Sequence, residues 1–210
     1  MNTLSPSYDN VIARKYSART IEHKMDNKAA LQESLGWIEE PKQPILCIPT
    51  GLSEASDVAL FEEIVPGLLE LPVSIVILGR GSKKCGEMVG SLVASSGHRV
   101  AVVADDDKNL RKLLAGSDMA LFLSNVHDDA VATALHYGCV PIAPESYLTE
   151  NYSPTQESGN AFTYEEATVW QCFASVVRAL ETFKFPYDWR TIQRHAIESM
   201  TRREELIEAK

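Results

Sequence analysis

Short apolar runs and amphipathic segments alternate along this chain. The apolar runs have the length of buried strands and fall at positions 45–48, 73–78, 99–104, 119–123, 140–143 and 161–164. Between the first two runs, Val58, Phe61, Val65 and Leu68 recur with the spacing of one helix face. This alternation predicts the α/β class, with a doubly wound, Rossmann-like parallel sheet that carries helices on both faces.

The stretch from Ser117 to Pro144 is the clearest repeat unit of such a sheet. A strand-length apolar run is followed by the polar loop 124–129 and by a helical stripe that contains Val131 and Leu135. Gly138 ends that helix, and a second apolar run follows it. The ligands of open parallel sheets bind outside the carboxyl ends of the strands, so loop 124–129 is a candidate binding segment.

The domain organisation follows from the same pattern. Residues 1–12 are rich in Ser, Asn and Pro and are predicted to be a loose N-terminal segment, whereas 13–210 form a single domain. Segments 13–37 and 184–204 are predicted to be helical and to pack on the domain. The terminal helix is expected to make that contact through Trp189, Ile192 and Ile197. A stripe formed by Trp170, Phe173, Val177 and Leu180 is predicted to belong to the core.

Composition restricts the class of protein. The 210 residues have a hydrophobic content of 45% and a net charge of −9, values that are typical of a globular domain and argue against a general nucleic-acid binder. No apolar run approaches the roughly 20 residues of a membrane span. The four cysteines form no CxxC pair and are interpreted as reduced, which favours the cytoplasm or an organelle stroma. No cofactor and no metal are expected.

Five runs along the chain carry a more specific signal. They are ARKYSARTIEHKMDNKAALQESLGW (13–37), VSIVILGRGS (73–82), ALHYGCVPIAP (134–144), GNAFTYEEAT (159–168) and DWRTIQRHAI (188–197). In order and spacing these runs resemble the C-terminal, donor-nucleotide-binding domain of bacterial glycogen synthases and plant starch synthases. Those enzymes are retaining glucosyltransferases of the GT-B architecture, whose active site lies between two Rossmann-like domains. The resemblance implies one half of such a fold, without the acceptor domain.

The donor-site positions of the family are the ones at which this chain departs from it. The family places an arginine after the first strand and a lysine five residues later, and both neutralise the donor diphosphate. Here those positions are Gly51 and Ser56. A Gly-Tyr pair, whose ring stacks on adenine in the family, is replaced by Asp105 and Asp106. The residues that resemble the family are therefore those that form the fold, and the residues that differ are those that bind the donor in the family.

The other two donor segments depart in the same way. Where the family has an Arg-Phe-Glu-Pro-Cys-Gly loop that holds the sugar, this chain has the shorter run 125–129. A flexible Thr-Gly-Gly after the last core strand becomes Pro144-Glu145-Ser146, which is stiffer and negative. The positions that would still contact a donor, if one binds, are Gly51, Gly79, Gly81, Ser82, Asp106, Ser124, Asn125 and His127.

Each of these signals also has a structural interpretation. Gly79 and Gly81 fit a phosphate cradle, but a strand-to-helix turn needs glycine as well. Acidic residues in loops 105–107 and 128–129 fit a divalent cation or ordinary helix caps. His127 next to Asp128 fits a general base that is oriented by a carboxylate, but the sequence shows no nucleophile at a recognisable spacing from it. Tyr147 and Tyr152 offer a stacking surface for a glucan.

Two functions remain open from the sequence. The first is a pseudo-glycosyltransferase, a binding or scaffold module without transfer, whose partner is another protein or a glucan. The alternative is the nucleotide-sugar-binding part of an active ADP- or UDP-glucose-dependent glucan glucosyltransferase that is completed by a missing acceptor domain. A homodimer formed through the C-terminal helix is a further expectation. No nucleic-acid or membrane partner is expected.

Overall fold

A six-stranded sheet forms the centre of the protein. The computed structural model describes residues 5–124 and 128–208. Its strands are β1 (Ile45–Ile48), β2 (Ser74–Leu78), β3 (Val100–Val103), β4 (Met119–Leu121), β5 (Val140–Pro144) and β6 (Phe162–Tyr164). The sheet has the order β3-β2-β1-β4-β5-β6, and every neighbouring pair is parallel. The predicted Rossmann-like α/β fold is confirmed.

Helices cover both faces of this sheet. A 3-10 helix (Ala18–His23) is followed by α1 (Lys24–Ser34), α2 (Ala55–Glu70), α3 (Lys83–Ser95), α4 (Asp107–Gly116), α5 (Asp128–His136), α6 (Val169–Phe183) and α7 (Pro186–Glu208). Alternate residues of β1 enter two different cores. Leu46 and Ile48 pack with α2, α3 and α6, whereas Ile45 and Cys47 pack with α1, α4 and α5. Among the helices of the described residues, none is long and apolar enough to cross a bilayer.

The two chain ends are packed on the domain. Helix α7 buries Trp189, Ile192 and Ile197 as predicted, and it contacts α5, α6 and the 3-10 helix. Helix in segment 13–37 begins only at Ala18, because Ser17 is extended and forms the N-cap of the 3-10 turn.

The prediction of a loose segment at 1–12 is wrong for residues 5–12. Asp9 and Ile12 are buried, and Asp9 Oδ2 accepts a hydrogen bond of 2.6 Å from the Tyr137 hydroxyl. Tyr16 adds a second link by donating to the Tyr137 carbonyl at 2.7 Å. The partner of Asp9 lies 128 positions away in the sequence, so composition alone gave no sign of this contact.

The predicted core stripe of α6 is partly wrong. Trp170 is 81% exposed. The buried face of the helix is made of smaller side chains, and Ser175 Oγ donates to the Thr163 carbonyl of β6 at 3.1 Å. Its members are Cys172, Ser175, Val176, Ala179 and Leu180. Trp170 lies on the opposite side of the helix from this buried face and therefore points toward solvent.

Candidate functional site

The loops after β1 and β2 meet at the carboxyl edge of the sheet. Leu52 N–H donates to the Arg80 carbonyl at 2.8 Å, and Leu52 also forms an isolated parallel bridge with Gly81. The two loops that would flank a donor phosphate are therefore joined to each other through their backbones.

Gly51 lies at the point where these loops are closest. Its φ of +65° is in the left-handed region, and a Cβ atom built there would lie 2.5 Å from the Arg80 carbonyl oxygen and 2.8 Å from that of Leu78. Both atoms belong to the backbone, so they cannot turn away as a side chain would. The loop has no room for a side chain at the position where the resemblance expects an arginine.

Arg80 spans the loops that follow β2 and β3. Its Nε donates to Asp105 Oδ2 at 2.9 Å and its Nη2 to Asp105 Oδ1 at 2.7 Å, a bidentate pair that leaves the Arg80 side chain 48% exposed. The hydrogen bonds between Arg80 and Asp105 lower the pKa of the Asp105 carboxyl and raise the pKa of the Arg80 guanidinium. The sequence pattern indicates the two flanking glycines but not this arginine, whose only sequence signal is its position between them.

A buried carboxylate lies at the start of α2. Asp57 is 3% exposed, and its Oδ1 accepts a hydrogen bond of 2.9 Å from the Ser124 backbone N–H and another from the Ser124 hydroxyl. Ser124 Oγ also lies 2.7 Å from Ser56 Oγ. Negative charge is favourable in the first turn of a helix, where the N–H groups and the dipole otherwise attract a bound anion. Asp57 therefore places a negative charge in the first turn of α2 and holds Ser124 there through two hydrogen bonds. No sequence pattern marks Asp57 as a site residue.

Several predicted donor contacts have local structural roles. Gly79 N–H donates to the Val103 carbonyl at 2.8 Å, and a Cβ at Gly79 would lie 3.0 Å from that oxygen. Ser82 caps α3 by accepting from Cys85 N–H at 3.3 Å. Asp106 caps α4 by accepting from Asn109 N–H at 2.8 Å. Asn125 and His127 lie outside the described residues.

The structure places the two candidate glucan-stacking tyrosines differently. Tyr152 is only 4% exposed and its hydroxyl donates to Asp188 at 3.1 Å, so it offers no stacking surface. Tyr147 is 69% exposed, and the guanidinium of Arg203 lies 5.5 Å from its ring centroid. Within residues 5–124 and 128–208, no group of three or more His, Cys, Asp or Glu side chains is arranged to hold a metal ion.

Comparison of sequences finds similarity to bacterial glycogen synthases. It is 28% identical over 200 residues to glycogen synthase 2 of Geobacter sulfurreducens. The alignment covers 92% of this chain and 41% of that relative. It is 29% identical over 201 residues to the glycogen synthase of Syntrophotalea carbinolica, covering 92% and 42% of the two chains. The chain thus spans about two-fifths of the length of the curated relatives it matches. No family model matches it.

Comparison of structures gives the same fold. The catalytic domain of starch synthase IV from Arabidopsis thaliana, solved with ADP and acarbose, superposes with a TM-score of 0.75 at 22% identity, covering 96% of this chain and 45% of that one. The C-terminal domain of a group 1 glycosyl transferase from Francisella tularensis superposes with a TM-score of 0.62 at 11% identity, covering 89% of this chain and 96% of that domain.

The sheet order and the helices on both faces define a Rossmann-like domain of the GT-B glycosyltransferase architecture. Within that class, the chain is a homologue of the C-terminal domain of the glycogen and starch synthases.

Proposed function

We propose that this chain is a synthase-like GT-B domain that no longer binds a nucleotide sugar and serves as a binding or scaffold module. The observation that supports this most strongly is the geometry at Gly51. The backbone carbonyls of Leu78 and Arg80 occupy the space that a side chain there would need. The path of the loop backbone therefore excludes an arginine at position 51, so restoring that one residue would not restore the family's contact.

The charge balance around the loops supports the same conclusion. The family's two cationic positions are neutral here, at Gly51 and Ser56, and Arg80 is paired with Asp105. Each lost charge-assisted hydrogen bond is worth about 1.5–3 kcal/mol, and each 1.4 kcal/mol is tenfold in affinity. Two such losses lower donor affinity by about two to four orders of magnitude, before any repulsion from Asp57 and Asp105 is counted.

The alternative is a donor-binding half of an active glucosyltransferase. One observation favours it, because Arg80 is a half-exposed arginine at the edge of the sheet where a donor would bind. If Arg80 exchanged Asp105 for a diphosphate, one of the two lost cations would be replaced. The acceptor side would then come from a further domain, as the two-fifths coverage of the relatives allows.

Donor binding separates the two, because a chain that lacks the acceptor domain would transfer no glucose under either function. Labelled ADP-glucose or UDP-glucose is titrated into the chain, with a bacterial glycogen synthase as the positive control. We expect no binding of either donor. Saturable binding of either would refute the proposal, and so would transfer of label to glycogen or a maltooligosaccharide by the chain alone.

The variant Asp105→Asn makes the test sharper for Arg80. It weakens the partner of Arg80 at an exposed position, so the guanidinium becomes available to a phosphate. The proposal predicts that this variant still binds neither donor. The alternative predicts that it binds more tightly than the parent chain.

The partner of the module is proposed to be a glucan or another protein. Of the two tyrosines that the sequence suggests for glucan stacking, Tyr147 is the exposed one. Affinity electrophoresis in a glycogen-containing gel is the test. Retardation that Tyr147→Ala removes supports the glucan, and unchanged migration leaves the protein partner as the proposal.

A further inference from the structure

An open cavity lies at the opposite edge of the sheet, where the strands begin. It has a volume of about 700 Å³ and lies between α1, the junction of α6 and α7, and the amino ends of β1 and β4. Its apolar wall is formed by Ile21, Met25, Pro41, Phe183, Pro186 and Trp189. A volume in the range of 300–1,000 Å³ with mostly apolar walls is typical of small-molecule sites.

The polar groups of this cavity are mostly positive. Five cationic side chains and two carboxylates line it, although the whole chain has a net charge of −9. Lys42, Lys184 and Arg190 are exposed at the mouth, where Glu22 is the exposed acid. Lys184 also pairs with Glu181 at 2.7 Å, so Lys42 and Arg190 are the mouth cations best placed to meet a ligand.

Two buried lysines hold the inner wall in place. Lys24 Nζ donates to the carbonyls of Leu114 and Ala115 at 2.7 and 2.8 Å, at the end of α4. Lys28 Nζ pairs with Asp118 at 2.7 Å and lies 5.0 Å from the centroid of the Phe183 ring. These contacts hold both lysine side chains against the domain, so the wall keeps its shape without a ligand.

The wall also contains a buried donor. Trp189 is 4% exposed, and its Nε1 is one of two buried side-chain polar atoms without a hydrogen-bond partner within residues 5–124 and 128–208. Helix α7 begins at Pro186 beside the cavity, and the amino end of a helix favours negative charge.

We propose that this cavity binds an amphipathic organic anion, a small molecule with an aromatic or aliphatic body and one carboxylate or phosphate. The apolar body of the ligand packs against the part of the wall formed by Met25, Phe183 and Trp189. The charged group lies at the mouth beside Lys42 and Arg190. The cavity is at the other edge of the sheet from the loops that carry Gly51 and Asp57, so this binding does not depend on the fate of the donor site.

The test uses three ligands with one apolar body. Calorimetry on the full chain compares 4-phenylbutyrate, 4-phenylbutanol and 4-phenylbutylammonium in the millimolar range. We expect the carboxylate to bind at least tenfold more tightly than the alcohol, and the ammonium to bind most weakly. The indole N–H resonance of Trp189, assigned with Trp189→Phe, should shift on titration with the carboxylate.

Charge-reversed variants locate the site. The double variant Lys42→Glu and Arg190→Glu changes exposed residues only and should weaken 4-phenylbutyrate binding at least tenfold while leaving the alcohol unchanged. Lys83→Glu, whose side chain is 93% exposed on α3, is the matched control and should have no effect. Equal affinity for the three ligands, no binding of the carboxylate, or insensitivity to the double variant would each overturn the proposal.

Discussion

The steric exclusion at Gly51 can be measured with a pair of glycine variants. Gly51 and Gly36 have almost the same left-handed backbone, with φ of +65° and +68°. They differ in their surroundings. A Cβ at Gly51 would meet two carbonyl oxygens within 2.8 Å, whereas a Cβ at Gly36 would have no atom of the described residues within 4 Å apart from those of Gly36 and its two chain neighbours. The difference between Gly51→Ala and Gly36→Ala therefore isolates the crowding from the cost of the conformation.

The expected magnitudes follow from these two terms. Alanine in the left-handed region costs about 1–2 kcal/mol, which is the whole effect expected for Gly36→Ala. Overpacking against atoms that cannot move adds about 1–3 kcal/mol, so Gly51→Ala should lose about 2–5 kcal/mol in total. That is a large part of the roughly 5–15 kcal/mol by which a domain is stable.

Urea unfolding at neutral pH measures both variants against the parent chain. The free energy of unfolding comes from linear extrapolation, and an unchanged slope shows that the denatured state is the same in all three. If the two variants lose the same free energy, position 51 has room for a side chain. Steric exclusion of the family's arginine from this loop would then be refuted.

Three further predictions concern stability. Asp118→Asn removes the charged partner of the buried Lys28 and should lower the free energy of unfolding in urea by about 3–5 kcal/mol. Asp105→Asn, in the more exposed pair with Arg80, should lower it by no more than about 1 kcal/mol. Equal losses would contradict the difference in burial between the two pairs. Burial lowers the pKa of His136 below its ordinary value of 6.5, although Glu204 lies 3.3 Å away. The stability that the neutral imidazole contributes is therefore present above 6.5 and is lost as the pH falls from there through the lower pKa of the folded state. His136→Gln should flatten this dependence, and a variant with the same acid-side slope as the parent would show another group to be responsible. Deletion of 184–210 removes the buried Trp189 and Ile192 and should leave an insoluble or much less stable chain, whereas an unchanged melting temperature would mean that α7 is not part of the fold.

The central strands of the sheet could be predicted from the sequence because β1, β2 and β4 are buried on both faces. Strand β1 begins and ends at the predicted residues, and β2 differs by one residue at its start. A strand that is covered on both sides is a continuous apolar run, which is a local property of the chain. The helix α6 was harder, because its large aromatic Trp170 lies on the exposed side and small residues form its buried face.

The contacts of the candidate site could not be predicted, because they join distant parts of the chain. Arg80 and Asp105 are 25 positions apart, and Asp57 and Ser124 are 67 positions apart. The crowding at Gly51 depends on the path of the loop after β2. The sequence could show that the family's cations are absent, but only the fold shows that the remaining charges pair with each other.

Titration calorimetry with the nucleotide-sugar donors tests the loss of the donor site most directly. ADP-glucose and UDP-glucose are titrated into the chain, each with and without magnesium, and a glycogen synthase serves as the positive control. The account predicts no heat of binding for either donor in the millimolar range, because neither Gly51 nor Ser56 offers a cation to the diphosphate. Micromolar affinity for either donor would contradict it.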